Sequence, residues 1–295
     1  MDRGEIVKLA DLHIHTSASD GWLTPDMAVE QAKDAGLAAI SIADHDSVSG
    51  IEAAIWAGKK YGVEVIPGIE LSSEFEGRDL HFLGYFVDWH DKRFNKKLLT
   101  MQEARVDRAK KILDRLSNLN INISYNVVIV IAGGTVGRPH IAKALLDRGY
   151  VRTMQEAFEK YLIPGKPAYV EKYQMLPGEA IKMIKKVGGI PVLAHPYFAN
   201  ADEMLPELVE QGLRGLEVYH SRHDAVVARR YEQLAKKYDL LIVGGSDAHG
   251  REVPIGAVKI PYELVEKLKE DLAPKRGVKT EALSLRPEPV LATSK

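Results

Sequence analysis

VKLADLHIHTSASD, residues 7–20, is the stretch on which the reading of the fold turns. A short apolar run ends in His13, one spacer and His15, with Asp20 five residues on. In a strand, alternate side chains share a face, so His13 and His15 project side by side from one strand end. Two imidazoles there bury little apolar surface. They make sense as a pair of ligands, or as a coincidence.

Outward from this strand the chain alternates. IVKLADL leads into TPDMAVEQAKDAG, where Thr24 is placed to cap a helix, Pro25 to fill its first position and Gly36 to end it. LAAISIA leads into SGIEAAIWAGKKYG, a second helix closed by glycine. VEVIPGIEL and LHFLGYFV follow close together and read as neighbouring strands. Later, EAIKMIKKVGG precedes IPVLAH, ELVEQGL precedes RGLEVYH, and DAVVARRYEQLAKKYD precedes LLIVGGSDAH. This repetition predicts an α/β fold with a parallel sheet or barrel. Between Asn95 and Lys166 the rhythm gives way to charged helical sequence, with MQEARVDRAKKILDRLSNL as its clearest amphipathic segment. The charged face of that segment is expected to be solvated. The resulting division is a barrel over 1–94 and 167–273, a helical insertion or lid over 95–166, and an aperiodic tail over 274–295.

Polar residues gather where the strands end. They are Asp11, His13 and His15; Asp44 and His45; Glu70; His195; His220 and His223; and Asp247 and His249, with His81 near the start of its strand. In a βα barrel these ends share one face, where active sites collect. The set is His, Asp and Glu without sulfur. Imidazole suits Zn, Fe and Mn, carboxylates can bridge two ions, and so rich a cluster exceeds the needs of one tetrahedral ion. Asp11 and Asp44 are placed to orient imidazoles. Asp46 reads as a helix-start residue, and His90 and His220 as structural.

The bulk numbers exclude some classes. Apolar residues make up 45% of the 295, enough for a sizeable core. A net charge of −1 offers no basic field for long nucleic acid, although metal ions could supply positive charge locally for a nucleotide or short RNA. The absence of cysteine removes disulfides and thiolate metal sites and fits a reducing compartment. The charged N-terminus runs directly into the first strand, and no apolar run approaches the roughly 18–20 residues of a membrane span. The expectation is a cytoplasmic protein.

Taken together, DLHIHTSASDG, ISIADHD, VIPGIELS, HFLGYF, LAHPY and GGSDAHG, spread from Asp11 to Gly250, resemble the PHP family, named for polymerase and histidinol phosphatase. The resemblance implies a distorted (β/α)7 TIM-like barrel with a trinuclear metal centre. It implies that His13, His15, Glu70 and Asp247 hold a first ion. Glu70 would bridge to a second ion completed by His81 and His195, and Asp20, His45 and His249 would hold a third. Mn²⁺, Fe²⁺ and Zn²⁺ all suit these ligands. GRPHIAKAL and EVYHSRHD further resemble the small stand-alone bacterial members, which hydrolyse nucleoside 3′,5′-bisphosphates such as pAp; some also trim short RNA from its 5′ end. By that resemblance Arg138, His140 and His223 hold phosphate oxygens, and His223 helps the departing oxygen leave. Arginine's planar fork suits phosphate independently.

The function read from the sequence is therefore a metal-dependent phosphoric ester hydrolase, using a metal-bridging hydroxide on a small phosphorylated substrate, a nucleotide or short RNA. No long DNA and no membrane are expected as partners, and the oligomeric state stays open. Two other readings also stay open: a histidinol-phosphate phosphatase, and a catalytically silent metal-stabilised module like the barrels attached to some replicative polymerases.

Overall fold

The computed structural model describes residues 7–133, 135–171, 173, 175–250 and 252–276. Among these, the strands are β1 (Leu9–Ile14), β2 (Ala39–Ile42), β3 (Glu64–Phe75), β4 (Arg78–Tyr85), β5 (Ile190–Leu193), β6 (Gly215–His220), β7 (Leu241–Gly245) and β8 (Ile260–Pro261). They form one sheet in the order β7-β6-β5-β4-β3-β2-β1-β8. The helices are α1 (Pro25–Asp34), α2 (Ile51–Tyr61), α3 (Lys92–Ser117), α4 (Tyr125–Ala132), α5 (Arg138–Asp147), α6 (Met154–Ala157), α7 (Pro177–Lys186), α8 (Pro196–Ala199), α9 (Leu205–Gln211), α10 (Ala225–Lys237) and α11 (Glu263–Arg276). A π-helical turn at Phe158–Leu162 and a 3₁₀ turn at Asp202–Met204 complete the order. The chain enters the expected tail still helical, in α11; residues 277–295 lie outside the described residues.

The sheet curls until its ends nearly meet. Past β7, Ala248 bridges to Ile14 in parallel, and the His15 amide donates to the Ala248 carbonyl at 2.9 Å. This near-closure needs a glycine, because a Cβ on Gly245 would collide with the backbone of His13. The expected barrel is thus present, with one reversal that matters for function. β4 runs antiparallel to both β3 and β5. The start of β4 therefore lies beside the far ends of β3 and β5, which is why His81, early in its strand, reaches the same mouth as residues that end theirs.

Local signals explain the flanking helices. Thr24 accepts from the Met27 amide at 3.3 Å, Pro25 opens α1, and Gly36 follows it at φ 74°. Along β1, Asp11, His13 and His15 alternate with Ala10, Leu12 and Ile14. Leu12 packs in a cluster with Val265, Leu268 and Leu272 of α11, and Ile14 with Ala28, Val29 and Ala32 of α1. One face of the strand thus buries carbon while the other carries the polar set.

α3 belongs to two cores. Its first half puts Phe94, Leu98 and Met101 into the cluster that holds β3, β4 and α7. Its second half puts Ala109, Ile112, Leu113 and Leu116 into a separate cluster with α4, α5 and the π-helical turn. The expectation of a solvated charged face needs correction at Arg105, four residues after Met101 and four before Ala109, hence on the apolar stripe. Arg105 donates to buried Asp46 through Nε at 2.9 Å and Nη2 at 2.6 Å, and Gln102 donates to the Asp46 carbonyl at 2.8 Å. Asp46 is accordingly an anchor for α3 and not a helix-start residue; α2 begins at Ile51 after Gly50.

Candidate metal centre

The barrel mouth brings together side chains from β1, β3, β4 and the segments after β1, β2, β5 and β7. His13 Nε2 and His15 Nε2 lie 3.1 Å apart. Glu70 Oε2 is 3.4 Å from the first and 3.3 Å from the second. Asp247 Oδ1 is 3.5 Å from His13 Nε2 and 3.1 Å from His15 Nε2. Ligands bonded at about 2.1 Å to one tetrahedral ion would stand roughly 3.4 Å from one another, so these four atoms form a fitting cradle.

The other oxygen of Glu70 faces a different pair. Oε1 lies 3.0 Å from His81 Nδ1 and 2.9 Å from His195 Nε2. One carboxylate is thereby shared between two imidazole groups. Beyond it, Asp20 Oδ1 is 3.4 Å from His249 Nε2, and Asp20 Oδ2 is 3.9 Å from His45 Nε2. His45 faces both ways, with Nδ1 2.9 Å from Glu70 Oε2, and His15 Nδ1 reaches 3.6 Å from Asp20 Oδ1. Three groupings could each hold an ion: His13, His15 and Asp247; His45, Glu70 and His81; and His15, Asp20, His45 and His249.

Charge explains why such a cluster wants cations. Burial alone would raise the Glu70 carboxyl, yet the imidazoles of His45, His81 and His13 hold it well below the ordinary carboxylate range. Asp247 is likewise held low against its burial, by His13 and His15. Burial pulls His15 down, but Asp247, Glu70 and Asp20 lift it to about 10. His81, where burial wins over Glu70, falls to about 4. The carboxylates stay ionised only with positive charge among them, on imidazolium or on metal. Buried atoms poorly served by hydrogen bonds favour metal: His45 Nδ1 and Glu70 Oε2 stand 2.9 Å apart without hydrogen-bond geometry, and His15 Nδ1 has no hydrogen-bond partner.

Two buried carboxylates do other work than the sequence suggested. Asp11 accepts from the Ser246 amide and hydroxyl at 2.8 and 2.5 Å and from the Gly256 amide at 2.8 Å, so it braces backbone rather than imidazole. Buried without a cation beside it, it rises to about 6. Asp44 accepts from the Thr16 amide and hydroxyl, both at 2.7 Å, and from the Ser19 hydroxyl at 2.5 Å, fixing the loop that carries Asp20. The imidazole-orienting carboxylate is Glu217, which the sequence reading missed. It is fully buried on β6, 2.8 Å from His13 Nδ1, and accepts the His195 amide at 2.8 Å. Its signal was a lone acid between Leu216 and Val218 in a short apolar strand.

The backbone is bent to serve the mouth. His195, Asp247 and Asp46 occupy positive φ of 27°, 53° and 50° without being glycine. Conformations of this kind cost on the order of 1–3 kcal/mol each and gather at functional sites.

The three residues expected at phosphate lie around this cluster, not within it. Arg138 opens α5 and donates to Asp79 Oδ2 at 3.3 Å; Asp79 lines a cavity of about 440 Å³ together with His81, His195, Phe198, Arg222 and Asp247. His140 Nδ1 accepts from the Gly137 amide at 3.0 Å, so its Nε2 carries the proton of the neutral ring. Burial lowers its pKa, and Asp20 and Arg105 are among the charged side chains near it. His223 Nδ1 donates to the Val218 carbonyl at 2.9 Å, which leaves its buried Nε2 without a partner. His220, expected to be structural, is buried and sits 3.3 Å from Asp247 Oδ2.

Comparison with known proteins identifies the family. A family model described as the PHP domain matches residues 11–171. The chain belongs to the PHP family. It is 32% identical over 88% of its length to a 5′-3′ exoribonuclease of Haemophilus influenzae, covering 95% of that protein. It is 30% identical over 86% to a phosphoribosyl 1,2-cyclic phosphate 1,2-diphosphodiesterase of Eggerthella lenta, covering 99% of it. To a 3′,5′-nucleoside bisphosphate phosphatase of Chromobacterium violaceum it is 29% identical over 82%, covering 90%. Among solved structures, one described as a metal-dependent phosphoesterase from Bifidobacterium adolescentis superposes with a TM-score of 0.76 at 31% identity, over 88% of this chain and 94% of that one. No helix among the described residues is long and apolar enough to cross a membrane.

Proposed function

We propose that this PHP-family chain is a metal-dependent phosphoesterase that releases phosphate from nucleoside 3′,5′-bisphosphates and acts on the 5′ ends of short RNA. The observation that carries the reading is Glu70, one oxygen of which faces His13, His15 and His45 while the other faces His81 and His195, all within 3.4 Å. A carboxylate so placed suits a site for more than one ion. His13, His15, Glu70 and Asp247 would hold the first, Glu70, His81 and His195 the second, and Asp20, His45 and His249 the third. Bound divalent ions would polarise the phosphate and make a water nucleophilic near neutral pH.

The chain's own groups supply the rest. Glu217 holds His13 Nδ1 and thereby turns Nε2 toward the cluster. His140 offers Nε2–H to a phosphate oxygen, because its Nδ1 already accepts from Gly137. His223 is its complement: Nδ1 keeps its proton on the Val218 carbonyl, so Nε2 exchanges a proton with the phosphate or the departing oxygen. Arg138 presents its planar fork at the rim, exchanging Asp79 for phosphate. α3 to the π-helical turn acts as a lid, since it contributes Arg138 and His140 to a site otherwise built by the barrel.

The test is product analysis with pAp, a short 5′-phosphorylated RNA, histidinol phosphate and a ribosyl cyclic phosphodiester, with manganese, iron or zinc restored after chelation. Inorganic phosphate from pAp and 5′-mononucleotides from RNA are expected. Preference for histidinol phosphate or the cyclic diester, or turnover indifferent to chelation, would overturn the reading.

A further inference from the structure

Directly after His195 the chain forms α8, a single short turn whose Pro196 and Ala199 are buried while Tyr197 and Phe198 stand out 48% and 41% exposed. Phe198 is not on a remote surface. Its ring centroid lies 6.0 Å from that of His195 and 5.7 Å from that of His223, and its side chain lines the mouth cavity with His81, His195 and Asp247. The Arg222 guanidinium covers the ring at 3.9 Å from its centroid. A flat apolar ring and a flat cation are therefore stacked at the edge of a polar metal cluster. Neither side chain offers an atom to a metal ion.

We propose that Phe198 and Arg222 form a stacking subsite for the nucleobase of the substrate, an inference that rests on the phosphoesterase reading above. Aromatic rings and guanidinium planes are the side chains on which unpaired bases stack. A phosphate held at the His81 and His195 end of the cavity leaves the ribose to span the step to Phe198, where the base extends the Phe198–Arg222 stack. Stacking reads a face that every base has, so this wall selects for a base without choosing among bases. The same wall accommodates the terminal nucleotide of an RNA, which joins mononucleotide and RNA-end substrates in one subsite.

The experiment compares kcat/KM on adenosine 3′,5′-bisphosphate, uridine 3′,5′-bisphosphate and the abasic 1-deoxyribose 3,5-bisphosphate, using manganese-loaded full-length protein. Wild type is expected to favour both base-bearing substrates over the abasic one by roughly ten- to a hundredfold, the range of one base–aromatic stack. Phe198→Ala removes most of that preference while abasic turnover stays within about threefold of wild type. Phe198→Tyr restores the preference, and Arg222→Ala reduces it by less than Phe198→Ala does. Equal turnover of all three substrates by wild type, or an equal loss on all three in Phe198→Ala, would overturn the stacking subsite and leave the phosphoesterase reading standing. Folded, manganese-loaded protein that releases phosphate from none of them would overturn both.

Discussion

Around Glu70 the buried side chains are polar, and their partners arrive from strands scattered between Asp11 and His249. Around Leu116 and Ile141 they are apolar, and all come from the one stretch between Ala109 and Ala168. The difference lies in what each region tolerates. An apolar core loses stability in proportion to the carbon removed. A buried polar cluster fails more abruptly, because deleting one partner strands the charge of another. The two regions touch through a few directed contacts: Arg105 to Asp46, Gln102 to the Asp46 carbonyl, the Thr135 amide to the Ser19 carbonyl at 2.5 Å, and Arg138 to Asp79. Each runs from α3, α5 or the turn before α5 to a residue next to, or near, a candidate ligand.

The comparison is broken most directly at Glu70. Glu70→Gln should lower phosphate release by about a thousandfold or more, since the ions it would share would supply several kcal/mol to the reaction; metal analysis of the same protein should then show fewer ions than wild type. Near-normal turnover would mean the mouth is not organised around that carboxylate. Leu116→Ala is the counterpart in the other core. It should cost about 3 kcal/mol in urea unfolding, as large-to-small core changes do, while metal content per folded chain stays unchanged. A fall in metal content would show that the two cores are not separate.

Arg105→Met tests the strut between them. Losing one partner of a pair whose acid is fully buried should cost about 3 kcal/mol, and here metal content should fall as well, because Asp46 neighbours His45. Glu217→Gln is subtler. The fold should persist, but metal affinity measured by chelator competition should drop on the order of 10–100-fold, as when the outer partner of a ligating histidine is altered. Smallest of all, Lys160→Ala breaks an exposed pair with Glu156 on the insertion's surface and should leave both the unfolding midpoint and turnover unmoved.

Much of the mouth was legible because strand alternation is a strong code. His13-x-His15 announces one face, and the repeated βα units place the other strand-end residues near it. His81 gave a weaker sign, since only the reversal of β4 carries an early strand residue to the mouth. Arg105 hid in a segment that reads as a charged helix surface, although its place on the Met101–Ala109 stripe marks it. Glu217 hid because one acid in an apolar strand does not say which histidine it serves. Asp11 and Asp44 sit beside histidines in sequence, yet their donors come from Ser246, Gly256 and the loop at Thr16, contacts that only strand pairing across the sheet creates. Positive φ at His195 and Asp247 leaves only a faint signature, since Asp and His merely tolerate it better than most side chains.

We hold the mouth to be a centre for several divalent ions. The direct measurement is metal stoichiometry by elemental mass spectrometry, taken on chelated protein titrated with manganese alongside phosphate release. About three ions per chain are expected at saturation, one for each candidate grouping, with turnover absent in the stripped protein and returning as they bind. Binding of a single ion or none, or full turnover by the stripped protein, would contradict it.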